Sequence, residues 1–449
     1  MTRRSIFWFR RDLRLSDNPA LMEAIADSEE LIPLFIMDDQ IAKRAGDFRR
    51  AYLAESLHAL DKSVNGSLHV ISGDPASILL QLKEFYSADT IYLAKDFAPY
   101  GVARDLEVEQ AGIDLRKTGS GYAVSPGRIL KGDGTPYKVF TPFFKAWLAH
   151  SWRGPVAPPT RVATVTTNEK FRNFPDWNYP RGVSLQPAGE AAALNRWREF
   201  QRDGLASYGE RRNYAGADGT SKLSAHLRWG EIHPRTILHS LGEGDQIFRK
   251  EIAWREFYAD VLHHNPHTTR EYYLPRFASM KYESPGEKFI AWCDGRTGYP
   301  FVDAAMRQLR QEGWMHNRTR MVVASFLVKD LHMEWQHGAN FFMRYLIDND
   351  VASNSHGWQW TAGCGTDASP YYRIFNPVEQ GKRFDPQGDY IRKYVPEIAH
   401  LTDAHIHEPW LFQENDLHGY PNPIVNHAVE RNESLARLEE IKLFRPGSY

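Results

Sequence analysis

The chain has 449 residues, with 55 Lys plus Arg against 56 Asp plus Glu and a formal net charge of -1. At about 150 residues per domain there is room for two or three cores, and 42% hydrophobic with 25% charged residues excludes disorder and collagen-like repeats. The balanced charge excludes a global basic field, so any nucleic-acid surface must be a local patch.

Arg3 and Arg4 precede only a short apolar run, Ile6 to Phe9, before Arg10 and Arg11 interrupt it, which is no signal peptide. No stretch of about 18 uncharged apolar residues occurs, so a cytoplasmic protein without a membrane span is expected. Ile6 to Phe9 is the first predicted strand, followed by Leu31 to Met37, Leu68 to Ser72, Thr90 to Ala94 and Asp114 to Lys117. Helical patterns lie between them, near Pro19 to Ala26, Arg49 to Leu60, Ala76 to Phe85 and Val102 to Ala111. Strands alternating with helices predict a doubly wound parallel sheet. Gly and Pro punctuation then leads to an aromatic stretch, Phe140 to Trp147.

Residues 151–190 are rich in Pro, Thr and Gly and read as a long surface connection. Beyond it helical periodicity takes over, as in Val302, Ala305, Met306 and Leu309. The predicted organisation is therefore an α/β domain over residues 1–150, a linker over 151–190 and an all-α domain over 191–449. Most of the 13 Trp fall in the last of these. Cys293 and Cys364, the two cysteines, have no C-x-x-C partner, which fits a reducing compartment and argues against a disulfide framework or structural zinc.

Gly363-Cys364-Gly365-Thr366-Asp367-Ala368 matches a dinucleotide fingerprint in letters, but it has no βαβ context and is set aside. No P-loop, nucleophile elbow or H-E-x-x-H occurs, and His263, His264 and His267 complete no ligand spacing, so no metal is predicted. Asp218 to Ser224 places three hydroxyls and a glycine before a helical pattern, which suits a phosphate at a helix start or a plain N-cap. On the next long helical pattern Glu251, Trp254 and Arg255 share a face, so a carboxylate, a flat aromatic and a cation look the same way.

With these residues in view, the sequence resembles the photolyase/cryptochrome family, most closely the bacterial photolyases that repair cyclobutane pyrimidine dimers. The likeness runs nearly end to end, from Phe7-Trp8-Phe9-Arg10-Arg11-Asp12-Leu13-Arg14 through Thr220-Ser221-x-Leu223-Ser224 and Trp254-Arg255-Glu256-Phe257-Tyr258 to Asn376-Pro377. Its densest block is Thr297-Gly298-Tyr299-Pro300 to Gly313-Trp314-Met315-His316-Asn317-Arg318, continued by Trp358-Gln359-Trp360. The resemblance implies an N-terminal α/β domain for an antenna pigment and a helical domain that holds bent FAD.

Position by position, the resemblance implies that Tyr208, Thr220, Ser221, Leu223 and Ser224 contact the FAD phosphates and ribose. Arg255, Asn317, Arg320, Asp348, Asp350 and Asn354 complete its FAD-binding set, with Asn354 near flavin N5 and Arg320 paired with Asp348. Glu251, Asn317, Met321 and Trp254 resemble the residues that face a flipped-out dimer, and Arg318, Arg373 and Arg383 resemble DNA phosphate contacts. The spacing of Asn317 and Met321 lets one helix face present both. An extruded dimer offers carbonyls and N–H groups to Glu251 and Asn317 and a saturated ring to Met321 and Trp254.

Trp358 and Trp335 match the inner members of the family's electron-transfer chain, with Tyr282 at the outer position in place of tryptophan. Asp96-Phe97-Ala98-Pro99-Tyr100-Gly101 resembles the antenna loop, with Gly101 where folate binders carry glutamate. A deazaflavin-type antenna (8-hydroxy-5-deazaflavin) is expected, with methenyltetrahydrofolate as the alternative. The expected function is light-driven repair of UV-damaged DNA by a monomer. The alternatives are a cryptochrome, against which the chain's end at Tyr449 without a long tail is counted, a (6-4) photolyase, for which histidines would replace Asn317 and Met321, and a flavin electron-transfer module.

Overall fold

Ile6 and Trp8 point to one side of the first strand and Phe7 and Phe9 to the other, and all four are buried. A strand that is apolar on both faces needs cover on both, as a parallel sheet between helical layers provides. A computed structural model of the chain, describing residues 2–42, 45–177, 180, 182–366, 372–412 and 417–443, has that sheet. Strands β1 (Arg4–Phe9), β2 (Glu30–Met37), β3 (His69–Ser72), β4 (Thr90–Lys95) and β5 (Leu115–Ser120) are all parallel, in the order β3-β2-β1-β4-β5. Every predicted strand and helix of this half is present.

Local chemistry sets the helix starts. Asn18 accepts from the Leu21 amide at 3.3 Å ahead of helix Pro19–Asp27, and Asp74 accepts from the Ser77 amide at 2.8 Å ahead of helix Pro75–Tyr86. Pro75 and Pro99 occupy first-turn positions, so those two helices begin earlier than periodicity alone predicts. Because the strand order reverses at β1 and β4, their carboxyl ends open a crevice.

Part of the predicted linker, residues 164–172, runs back along the sheet. Leu31 bridges Thr164 and Val70 bridges Arg172, and Val165 and Phe171 are buried against the strands. Helix Phe140–His150 packs on helix Gln246–His264, joining Phe143 and Trp147 to Phe257 in one core. The remainder of the C-terminal half is helical. Buried polar bonds tie the halves together: Tyr52 Oη donates to Glu231 at 2.9 Å, Ser56 Oγ to Glu231 at 2.6 Å, and Arg235 Nη2 to Asp17 at 2.6 Å. Among the described residues, no helix is long and apolar enough to cross a membrane.

Candidate active site

Three helices wall a cavity of about 540 Å³ in the helical half, a size suited to a cofactor or substrate. Helix Gln246–His264 contributes Phe248, Glu251, Ile252, Trp254, Arg255 and Tyr258, following its 3.6-residue period. Helix Asn317–Ser325 contributes Asn317, Arg318, Arg320, Met321 and Ala324, and helix Val351–Ala362 contributes Ser353, Asn354, Gly357, Trp358, Trp360 and Thr361. Tyr208, Ser221, Leu223 and Ser224 close one side.

The dense sequence block is what aims Asn317 and Met321. Helix Pro300–Glu312 ends at Gly313, whose φ of +59° is the left-handed C-terminal turn that favours glycine. The chain re-enters a helix three residues later, with His316 Nδ1 accepting from the Arg318 amide at 3.1 Å. Burial, aided by Arg318 and Arg320, pushes His316 down to about 4, so the ring is neutral and free to accept.

Asp350 starts the third wall by accepting from the Ala352 and Ser353 amides, each at 3.1 Å. It also pairs with Arg11 of the α/β half. Burial alone would raise its pKa, but Arg11, Arg255 and Arg228 hold it well below the usual carboxylate range. Arg320 grips Asp348 with two bonds, 2.7 and 3.2 Å, and donates to the Met315 carbonyl at 2.8 Å. Asn354 donates its amide to the Ala339 carbonyl at 3.1 Å, which fixes the amide plane at the cavity wall. Arg255 is oriented by the carbonyls of Gly121 and Leu227 at 2.9 and 3.2 Å.

The hydroxyl segment is not spent on capping: helix Ser224–Trp229 has no side-chain cap. Arg196, which the sequence did not single out, holds the Thr220 and Ser221 carbonyls at 2.9 Å each and shapes the loop. Ser221 and Ser224 line the cavity, whereas Thr220 does not. Gly363 ends helix Val351–Ala362 as its left-handed cap and opens no helix after a strand; Asp367 and Ala368 of that motif lie outside the described residues.

Glu251 faces the cavity with Arg212 Nη1 2.6 Å from its Oε1. Burial raises the Glu251 pKa against the opposing pull of Arg212. Trp254 stacks one face on Phe140, at 3.8 Å and 8° from parallel, so it is held as a rigid plate. Arg212 and Phe140 were not visible as site residues in sequence, because each meets its partner across elements far apart in the chain. Arg318 and Arg383 both lie over Phe384, at 4.4 and 5.1 Å, and form a basic rim with Arg212. Arg373 lies apart from that rim, on a separate smaller cavity.

Several polar atoms of the wall are buried without a protein partner: Arg228 Nη1, Arg318 Nε, Trp358 Nε1 and both side-chain atoms of Asn349. Such groups are costly unless a ligand or water satisfies them. The wall carries five arginines (212, 228, 255, 318, 320) against three carboxylates (Glu251, Asp348, Asp350). This donor-rich set fits a diphosphate-bearing polar cofactor such as FAD.

Trp358 is on the cavity wall, and Gly338 makes room for it, since a Cβ there would stand 2.0 Å from the indole. Trp335 begins that same helix, Trp335–Tyr345. Trp335 does not meet Tyr282 directly: Tyr272 stands between them, edge-on to Trp335 at 6.3 Å and stacked on Tyr282 at 6.2 Å.

A second, larger cleft of about 1160 Å³ lies at the carboxyl ends of the strands, where an open α/β sheet places its ligands. Trp8 is flanked by the Arg10 and Arg104 guanidiniums at 5.1 and 4.9 Å, and Tyr100 donates to Asp38. Asp96 and Gly101 line it together, and a Cβ on Gly101 would stand 2.2 Å from the Asp96 carboxylate.

Residues 5–163 match the family described as DNA photolyase, and residues 248–440 the family described as the FAD binding domain of DNA photolyase. The chain is 38% identical to the deoxyribodipyrimidine photo-lyase of Synechococcus sp., over 97% of this chain and 96% of the relative. It is also 38% identical to that of Agrobacterium fabrum, over 97% and 98%. Among solved structures it is similar to a bacterial class III photolyase from Agrobacterium tumefaciens, with TM-score 0.92 at 36% identity over 99% of this chain and 98% of that one. An archaeal photolyase from Sulfolobus tokodaii with two FAD molecules matches at TM-score 0.85 and 28% identity, over 97% and 100%. With both family models matching, relatives aligned over nearly the whole chain and a solved photolyase of the same fold, the chain belongs to the DNA photolyase family.

Proposed function

We propose that the protein is a deoxyribodipyrimidine photo-lyase that repairs cyclobutane pyrimidine dimers in UV-damaged DNA. The carrying observation is that Glu251, Asn317, Met321 and Trp254 line the same cavity as Arg255, Arg320, Asp348, Asp350 and Asn354, so lesion and cofactor groups share one chamber. When bound, reduced FAD supplies a light-excited electron that splits the dimer and is then recovered.

The chain's own residues do the positioning. Trp254, braced by Phe140, packs the extruded pair, and stacking of about 1 to 3 kcal/mol per base helps offset the cost of flipping. Glu251, its pKa raised by burial, presents a carboxyl able to donate to a pyrimidine carbonyl as negative charge grows there. Asn317 supplies an amide, and Met321, one helical turn on, supplies the apolar wall. Arg320 and Asp348 fix each other beside the cofactor, and Asp350 supplies a shared counter-charge for Arg11, Arg255 and Arg228. Arg318, Arg383 and Arg373 take DNA phosphates.

In this reading residues 1–150 serve the antenna, 151–190 connect, and 191–449 hold FAD and DNA. The cleft beside Asp96 and Gly101 takes the second pigment, a deazaflavin type or, as the alternative, methenyltetrahydrofolate. Trp358, Trp335 and Tyr282 carry electrons to oxidised cofactor, with Tyr272 linking Trp335 to Tyr282. The protein acts as a cytoplasmic monomer. Illuminating the FAD-loaded, reduced protein with a thymine-dimer oligonucleotide tests the reading. Blue light restores two thymines and darkness does not; a persistent dimer with flavin fully reduced contradicts it, and repair of a (6-4) lesion in its place reassigns the substrate.

A further inference from the structure

Behind the lesion cavity lies a smaller one of about 130 Å³, and Trp360 and Thr361 line both, so only one layer of side chains separates them. Arg276, Lys329, Arg373 and Lys442 line it, and no carboxylate does among the described residues. Of these four, only Lys442 has a carboxylate partner among the described residues, Glu439 at 2.6 Å.

Lys329 is the unusual member. It is 2% exposed and sits in a π-helical turn, Phe326–Asp330, between the helix of Asn317 and the helix of Trp335. A π-helical turn in a helical run is uncommon and is frequent at functional sites. Its ammonium donates to the Arg373 carbonyl and lies 4.3 Å from the Tyr372 ring. A buried cation is costly unless paired; a carbonyl and an aromatic face touch this one, and Cys364 and Asp330 favour its charged form without forming an ion pair with it among the described residues. Burial pushes Lys329 down to about 7, which is the condition that a bound anion would relieve.

We propose that this cavity is a subsite for one backbone phosphate of the damaged strand, adjacent to the extruded pair. The inference rests on the dimer-repair reading and extends it to Lys329, Arg276 and Lys442. A phosphate there meets the guanidiniums of Arg276 and Arg373 at the mouth and the Lys329 ammonium at the floor. Such charge-assisted bonds are the strong ones and fix register without reading sequence.

The test uses the FAD-loaded protein in the dark and a dimer-containing duplex carrying one neutral methylphosphonate at each flanking position in turn. For the wild-type protein, one position next to the dimer weakens binding roughly tenfold, the loss of one charge-assisted bond. In Arg276→Ala, an exposed change that leaves the core intact, that position loses most of its effect. The slope of log affinity against log salt also falls by about 0.9. Lys329→Met gives the same pattern if it folds. Equal phosphonate losses in wild type and Arg276→Ala, or no sensitive position outside the dimer, overturns the proposal. So does inorganic phosphate that raises the melting temperature of wild type but not Arg276→Ala while every phosphonate is silent, since the pocket then takes a free anion. If wild type binds dimer and undamaged duplex equally, the dimer-repair reading itself fails, which is a different result.

Discussion

The cleft at the sheet ends is about twice the volume of the helical cavity, about 1160 against about 540 Å³, and the two differ in the carboxyls they hold. In the cleft Arg10 and Arg104 pair with Asp105, at 2.6 and 3.0 Å, and stack on Trp8. Each space keeps two buried polar atoms of its own without partners, Arg49 Nε and Trp335 Nε1 in the cleft and Arg318 Nε and Trp358 Nε1 in the helical cavity, and the two share Arg228 and Asn349 as a common wall. Unmet polar groups mark both spaces as places that a ligand would complete; what sets the helical cavity apart is Glu251, a carboxyl whose pKa burial raises, whereas burial of Asp96 in the cleft is outweighed by Arg11, Arg10 and Arg104, which hold its pKa down.

The sharpest way to break this contrast is at Asp350. Asp350→Asn leaves Arg11, Arg255 and Arg228 facing one another without their shared counter-charge, and the expected cost is about 3 to 5 kcal/mol. The urea midpoint should fall and flavin should be lost from the purified protein; an unchanged midpoint and flavin ratio would mean that the cavity does not depend on that charge. Gly338→Ala comes next. Its Cβ meets the Trp358 indole, an overpacking worth about 1 to 3 kcal/mol, and photoreduction of oxidised flavin should slow, as read by flash absorption.

Glu251 tests the chemistry more finely. Its folded pKa is raised, so the protonated, donating form is lost as pH climbs through that value. Repair yield per photon should decline with rising pH in the wild type, whereas Glu251→Gln should give a lower, flat profile because the amide cannot change its protonation. In the cleft, Gly101→Ala forces Asp96 aside and should release the second pigment while leaving the flavin band unchanged, as read by the absorption spectrum. A further effect concerns the join between the halves. Burial opposes it, but His233, the Val156 amide and Arg235 pull Asp17 down to about 2. A depressed carboxyl stabilises the fold above its unfolded value near 4 and loses that contribution as pH falls toward about 2. Asp17→Asn should flatten the acid limb of the stability profile.

The α/β half was legible because its signals are local: β1 is apolar on both faces, and Asn18, Asp74 and the first-turn prolines punctuate the helices. The cavity was legible where family motifs and helical spacing coincide, as at Glu251, Trp254 and Arg255, or Asn317 and Met321. What the sequence concealed depends on contacts between distant segments. Arg212 reaches Glu251, Phe140 backs Trp254, Tyr272 intervenes between Trp335 and Tyr282, and Lys329 lies under the Arg373 backbone. Each is an ordinary residue until the fold supplies its neighbour.

The most direct measurement compares dimers split per photon absorbed by flavin in reduced wild type stripped of its second pigment, in intact wild type, and in Glu251→Ala with Asn317→Ala. The assignment of chemistry to the helical cavity predicts equal yields for stripped and intact protein when only the flavin band is excited, and a large loss in the double variant with the flavin spectrum retained. Repair that vanishes with the second pigment, or that survives in the double variant, would contradict it.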